Sequence, residues 1–432
     1  MKPERTPDWL TFEDARSRIL SQAPHLPTEC VRLRDALGRA LATNQVATAT
    51  LPPWDNSAMD GYAVRGTDVA GADPASPRVL DVVDEITAGT LPATPVATGQ
   101  AIRIMTGGPL PSGADTIVRV EDTDGEQTPG RVVIRSDRDV GRHIRPGGED
   151  MVRGDVVVES GTTVTPGVVA VLAALGLAEV EVRRRATVAI LTTGDELRGP
   201  DRYDDVVAGR GVPDSNGPAL AAAAMDAGAD PILIGPAPDD ADALRAALHA
   251  ARDADVLITT GGASMGRVDI VKEVLEEEGF RLDFWRARIR PGSPLSFGFL
   301  PGAGGSLPVF GLPGNPASAF VTFDVFVRPF LLRMGGHREV LRRTLLCESE
   351  ADFTTAGDLT HFVRVAVDSS TSPARIRPVG PQGSGLVHTL AFAGGLAIVP
   401  REVDRVQRGD PVEVFLLDAA TRRQADPAGQ HA

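Results

Sequence analysis

The residues of this chain best suited to chemistry lie in three glycine-bearing turns: TTGDEL at Thr192–Leu197, TTGGASMG at Thr259–Gly266 and GLPGNP at Gly311–Pro316. Each follows a short β-branched run (TVAIL, DVLI, LPVF) and carries glycine where the chain must turn sharply. In an open α/β sheet, ligands bind beyond the carboxyl ends of the strands. Glycine turns there let backbone N–H groups approach an anion, with the positive end of the next helix behind them. Carboxylates lie in or just after two of these turns, at Asp195–Glu196 and at Asp269. Donors for phosphate beside carboxylates for a divalent cation point to a phosphorylated, nucleotide-like ligand.

Other segments add reactive groups, and each has a plainer reading. DNSAMDGYAVRG (Asp55–Gly66) gathers acids, Asn and Ser in one loop. An Asx-type turn explains that equally well, although Met59 and Tyr62 flanking Asp60 are an expensive choice for a surface turn. In RIMTGGPLPSGAD (Arg103–Asp115), Thr106-Gly107-Gly108 suits either an oxyanion cradle or a hairpin loop. IRPGGED sets Arg145 five residues before Asp150, a pattern that a domain junction also produces. Asp240, ahead of ADALRAAL, reads first as a helix cap. In FWRARIRPGSP, Arg286, Arg288 and Arg290 alternate, so on a strand they share one face. Either an anion sits between them or they protect a solvated edge.

The elements that must position these turns follow from periodicity. Helical spacing over TFEDARSRIL continues through CVRLRDALGRALA to Gly38, giving an amphipathic N-terminal region over 8–47. From Leu51 to Arg145 the pattern changes to short β runs broken by Gly and Pro. Residues 146–182 read as two short strands and a helix. From Arg183 to Met334, strands at Thr187–Leu191, Pro231–Ile234, Asp255–Ile258 and Pro308–Phe310 alternate with helices at Pro218–Ala227, Asp240–Arg252, Arg267–Glu278 and from Pro316. That alternation predicts a parallel sheet with right-handed crossovers. HFVRVAV, ARIRPV, GLAIVP and PVEVFLL then predict a small C-terminal barrel, and the Ala-, Arg- and Pro-rich tail after it reads as disordered.

Composition narrows the class. At 432 residues, two to four domains are expected. The net charge of −14 argues against a general nucleic-acid binder or a membrane-surface protein. The start of the chain has no signal-type apolar run, and the longest apolar stretch, Val168–Ala178, falls short of the ~20 residues of a membrane span, so a cytoplasmic location is the default. Two cysteines far apart and seven scattered histidines build neither a disulfide framework nor a zinc-hydrolase site. Of 44 basic residues only Lys2 and Lys272 are lysine, and with no Gly-Lys step there is no Walker A loop.

Singly these motifs are weak, but as an ordered set they are specific. DNSAMDGYAV, RIMTGGPLPSGAD, IRPGGED, TTGDEL, DSN (Asp214–Asn216), TTGGASMG followed by Asp269, RPGSP, GLPGNPASA, QGSG (Gln382–Gly385) and GLAIVP (Gly395–Pro400) occur in that order. The series closely resembles the MoeA family of molybdopterin molybdotransferases, relatives of the gephyrin E domain, over about Phe12 to Leu416. The implied fold is α/β plus β and multidomain. It comprises an elongated connecting domain (8–47 and 146–182), an inserted β-rich domain (48–145), an open, mostly parallel α/β molybdopterin-binding domain (183–334) and a C-terminal β-barrel domain (335–417), with a tail at 418–432.

The resemblance implies insertion of molybdate into adenylated molybdopterin, with release of AMP. Carried over by motif, Asp60, Asp150, Glu196, Asp240 and Asp269 take catalytic roles, and Asp60, Glu196, Asp240 and Asp269 would hold Mg2+ against the pyrophosphate. Thr106, Arg145, Ser264, Arg286, Arg290, Ser293, Pro313 and Pro316 would bind substrate, and Arg364 with Ser384 would complete an oxyanion pocket. A homodimer with a cleft shared between chains is also implied, with the molybdopterin adenylyltransferase a candidate partner. Two departures stand out. The family's KPGKP is RPGSP here, so Arg290 and Ser293 replace lysines, and FAGGLAIVP lacks an Asn that often follows the alanine. Two other functions compete with this one: the preceding adenylylation of molybdopterin, and a non-catalytic scaffold of the same fold.

Overall fold

The run Thr187–Thr192 is apolar almost throughout and lies inside the main sheet of its unit. Val188 and Ile190 face one hydrophobic cluster and Ala189 and Leu191 face another, so the strand is buried on both sides. The structure, a computed structural model, describes residues 9–261, 270–355 and 357–417. Ser264, Asp269 and the expected tail at 418–432 lie outside the described residues. The described chain divides into two compact units, one running to Ala42 with Gly161–Pro166 and everything from Glu179, the other comprising Thr43–Ser160 and Gly167–Ala178.

In the first unit, a six-stranded sheet has the spatial order Asp230–Leu233, Thr187–Thr192, Val256–Thr260, Gly305–Leu312, Ser296–Gly302, Arg281–Trp285. The first four strands are parallel; Ser296–Gly302 runs antiparallel to Gly305–Leu312 across the Gly302–Gly305 turn, and Arg281–Trp285 antiparallel to Ser296–Gly302. Helices Phe12–Ser21, Asn216–Asp226 and Pro316–Thr322 cover one face, where Phe297, Phe310, Phe326 and Phe330 fill the core. Ala241–Ala250 and Ile270–Glu277 cover the other through Leu244, Leu248, Val271 and Val274. Pro316 starts its helix at the position where its missing N–H costs nothing. The same unit ends in a closed five-stranded barrel of Thr344–Ser349, Thr360–Asp368, Arg375–Pro378, Gly395–Val399 and Pro411–Leu416, around Val363, Val365, Ile376, Ala397 and Val414.

Two local expectations are corrected. CVRLRDALGRALA is not helical: Thr28–Arg32 is a strand paired antiparallel with Glu179–Arg183, followed by one 3-10 turn at Leu33–Asp35. Pairing with a distant β-branched partner overrides the local helical spacing. Nor do Arg286, Arg288 and Arg290 share a strand face. The edge strand ends at Trp285, Arg286 turns left-handed at φ 73°, and only Ile289–Arg290 resumes as a strand, now on the barrel.

The second unit centres on a five-stranded sheet in the order Thr116–Arg119, Gly61–Val64, Gln100–Ile104, Arg78–Ile86, Arg131–Ile134. Gly61 lies at its centre, where a Cβ would come within 2.1 Å of the Val118 carbonyl oxygen. The segment Asn56–Ser57, leading into it, pairs antiparallel with Ile144–Arg145.

Candidate active site

The barrel strand Thr360–Asp368 and the Arg290-Pro291-Gly292-Ser293 turn, which begins at the end of the short strand paired with it, border a cavity of about 1120 Å³. Arg290, Ser293, Pro313, Asn315, Asp352, His361, Gln382 and Ser384 are among the residues that line it. Arg290 makes no ion pair among the described residues. The acid on the cavity wall, Asp352, is already engaged: Arg405 donates to Oδ2 and the Arg408 backbone N–H to Oδ1, which holds its carboxyl below the usual range. The wall therefore presents uncompensated positive charge. Ser293 donates its hydroxyl to the Ile289 carbonyl, so it braces its own turn.

Arg364 lies behind this wall and is fully buried. Its Nη2 donates to the Pro381 and Gly383 carbonyls at 3.3 and 3.1 Å, and its Nε donates to Thr389 Oγ1 at 2.9 Å. Gln382 closes the loop by accepting from Arg364 N and donating to Arg364 O. Among the described residues, Arg364 Nη1 is buried with no hydrogen-bond partner. A buried charged donor left unpaired is costly unless a ligand or water meets it. Burial pulls the guanidinium below its usual value, though it stays charged at ordinary pH.

At the carboxyl ends of the parallel strands the glycine turns are bonded to one another. Thr193 N donates to Thr260 O at 3.0 Å, and Gly194 N to Ala237 O at 3.2 Å. Gly261 has φ 94°, and a Cβ there would come within 2.5 Å of Thr193 Oγ1, so only glycine lets these two turns touch. The DSN segment locks the set together. Buried Asp214 accepts from Thr192 Oγ1 at 2.8 Å and from Gly217 N, and Asn216 Nδ2 donates to Gly314 O at 2.7 Å.

The acids follow the same layout. Asp195 Oδ1 accepts from Asp239 N, linking the TTGDEL turn to the loop that carries Asp240. Asp240 caps its helix, with Oδ1 accepting from Ala243 N at 2.9 Å. The Glu196 carboxylate lies back over Gly194, where a Cβ would be 2.7 Å from its Oε2. Among the described residues, no three His, Cys, Asp or Glu side chains gather closely enough to hold a cation by themselves.

In the second unit, Asp60 and Thr106 are brought together: Asp60 Oδ1 accepts Thr106 N at 2.7 Å and Thr106 Oγ1 at 2.8 Å. The TGG segment is thus a carboxylate clamp. Arg145 is exposed, its backbone paired with Asn56, and Asp150 is exposed nearby, its N–H donating to Leu51 O. Back in the first unit, Arg286 stands apart from the cavity lining. Its guanidinium stacks on Trp285 at 3.8 Å and on Trp9 at 4.7 Å, and its Nε is buried without a hydrogen-bond partner among the described residues.

Comparison with known proteins decides the family. Residues 10–176 match the MoeA N-terminal region (domain I and II), 189–333 the probable molybdopterin binding domain, and 348–417 the MoeA C-terminal region (domain IV). The chain belongs to the MoeA family.

A protein called molybdopterin molybdenumtransferase 2 from Mycobacterium tuberculosis is 38% identical over 393 residues, covering 90% of this chain and 94% of that one. A Staphylococcus aureus molybdopterin molybdenumtransferase is 33% identical, covering 95% and 96%. Among solved structures, the molybdopterin biosynthesis MoeA protein of Pyrococcus horikoshii superposes with a TM-score of 0.80 at 28% identity, over 94% of this chain and all of that one.

Sequence reasoning missed Asn315, Asp352, His361 and Gln382 in the MoeA cavity, and Asp214 and Asn216 as the locks between turns. Asn315, Gln382, Asp214 and Asn216 all lie inside the recurring motifs, but nothing in their type or spacing sets them apart from their neighbours. His361 and Asp352 carried no local signal: only barrel closure brings them to Arg290, whose strand pairs in parallel with Thr360–His361.

Proposed function

We propose that this chain inserts molybdate into adenylated molybdopterin, cleaving the phosphoanhydride and releasing AMP. The observation that carries the reading is the cavity wall, lined by Arg290, which makes no ion pair among the described residues, and by Ser384, with the buried Arg364 behind it. Such donors suit a tetrahedral oxyanion, which only accepts hydrogen bonds. The relatives' names point the same way.

The linked glycine turns, free of side chains at Gly194 and Gly261, let the phosphates of the substrate approach the carboxyl ends of the parallel strands. Glu196 and Asp240, on loops bonded to each other, offer the hard oxygen donors that Mg2+ prefers. With two acids rather than a full cage, the ion would be shared with the pyrophosphate, and it would supply charge neutralisation there. Asp60, Asp150 and Asp269 complete the acidic set in this reading. Thr106 orients Asp60, and Arg145 serves as a phosphate donor.

A homodimer is supported by the helix Pro166–Ala174, which is apolar along its length yet buries only Leu172. A second copy of this chain is the fitting cover, and the adenylyltransferase that makes the substrate is the natural delivering partner. Free Cys30 and Cys347 accord with a reducing cytoplasm, and no helix among the described residues is long and apolar enough to cross a membrane.

Purified protein incubated with adenylated molybdopterin and Mg2+, with molybdate, tungstate or neither, tests the assignment by counting AMP. Molybdate-dependent release, lost in Glu196→Gln, is expected. ATP-dependent AMP transfer onto molybdopterin without molybdate, or no release from folded protein with any oxyanion, would overturn it.

A further inference from the structure

Asn315 occupies the N-cap position of the helix Pro316–Thr322, yet its side chain makes no capping hydrogen bond. The Ser384 carbonyl takes over part of that work, accepting from Ala317 N at 2.9 Å. Asn315 Nδ2 instead donates to Ser384 Oγ at 3.1 Å, across the wall of the cavity that both residues line. An amide NH2 group donates and cannot accept, so it occupies a lone pair of the hydroxyl oxygen and excludes the hydroxyl proton from that side. Among the described residues the Ser384 O–H has no protein acceptor. Its backbone is meanwhile fixed twice over, by Ala317 N–H on its own carbonyl and by Arg364 on the Gly383 carbonyl.

We propose that Asn315 is a positioning residue for the oxyanion: it sets the Ser384 rotor so that the O–H points into the cavity at an acceptor-only tetrahedral anion. The proposal rests on the reading of this cavity as the oxyanion site. A hydroxyl free to rotate presents its lone pairs to an anion as readily as its proton. One held by an amide donor is a preorganised donor, which spares the anion the cost of turning it. Asn315 thus acts through Ser384, and the GLPGNP turn of the α/β layer takes part in oxyanion binding without touching the anion.

Equilibrium dialysis of molybdate with the full chain tests this, together with the KM for molybdate and kcat of AMP release. The variants are Asn315→Ala, Ser384→Ala, the double variant and Asn315→Asp. Losing the donor itself predicts about tenfold weaker binding in Ser384→Ala, and freeing a rotor with three staggered wells predicts a smaller loss, about threefold, in Asn315→Ala. KM should rise in proportion, with kcat held at saturating molybdate. The double variant should be no weaker than Ser384→Ala alone, because the two act as one unit. Asn315→Asp keeps the size but accepts the hydroxyl proton, so it should bind at least as weakly as Asn315→Ala. Wild-type affinity in Asn315→Ala or Asn315→Asp, with Ser384→Ala weakened, would overturn the positioning role alone. So would additive losses in the double variant, or a fall in kcat and thermal stability without a KM change. Unchanged molybdate binding in Ser384→Ala and Arg290→Ala alike would overturn the cavity reading itself.

Discussion

Asp60 takes two hydrogen bonds from a single residue, the backbone N–H and the hydroxyl of Thr106, both on the same carboxylate oxygen. Among the described residues no hydrogen bond is made to its second oxygen. The two Thr106 donors, with the Arg103 cation adding to them, hold the carboxyl below its usual value of 3.8. A carboxylate lowered in this way keeps its charge down to more acidic pH, and its contribution is lost as the pH falls through the lowered value. Thr106→Val keeps the shape and the backbone N–H but removes the hydroxyl. AMP release should drop by about tenfold, and the acid limb of its pH profile should shift to higher pH. An unmoved limb would show that Asp60 is not the group titrating there.

Arg364 is both scaffold and candidate ligand, so its loss should register twice. Arg364→Met leaves the Pro381 and Gly383 carbonyls and Thr389 without their donor, and should cost about 3 kcal/mol of stability. Arg364→Lys should restore part of the stability but little molybdate affinity, because a point charge cannot span those acceptors and still offer a free donor. Urea melts with and without molybdate separate the two effects.

Burial, with the Arg328 cation adding to it, lowers the His337 imidazole from 6.5 to about 4, and its Nδ1 lies 2.8 Å from Thr163 Oγ1. The unfolded chain binds the proton near 6.5 and the folded one only near 4. Between these values the unfolded state holds more protons, so stability is full above about pH 6.5 and falls as the pH drops toward 4. The loss should be on the order of 3 kcal/mol. His337→Gln keeps a partner for Thr163 without titrating. The difference between wild-type and variant melts at pH 7 and pH 4.5 should therefore isolate this slope.

Ser293 stands where the family's motif has lysine, and its hydroxyl serves only the Ile289 carbonyl. Ser293→Lys would add a cation to a wall that already presents Arg290, in a cavity of about 1120 Å³ with room for it. Molybdate affinity should rise by about tenfold if the ammonium reaches the anion. Unchanged binding would show that Arg290 and Arg364 already supply the charge.

Periodicity and turn chemistry determined a good deal of this protein before any tertiary information. The strand at Thr187–Leu191, the TTGDEL and GLPGNP turns that follow parallel strands and the Pro316 helix start were all legible, because each depends on residues close in sequence. The MoeA identity was legible as well, since it lies in the order of short motifs and not in any one of them. Tertiary structure decided what distant neighbours impose. Thr28–Arg32 became a strand because Glu179–Arg183 offered it a ladder, against its own helical spacing. Arg286 left the expected arginine row when its backbone turned to φ 73° and its guanidinium stacked between Trp9 and Trp285. Ser384 met Asn315 only because the barrel closes against the α/β layer. Side-chain type sets what a residue can donate or accept, but which partner it meets across such a gap in sequence is set by packing.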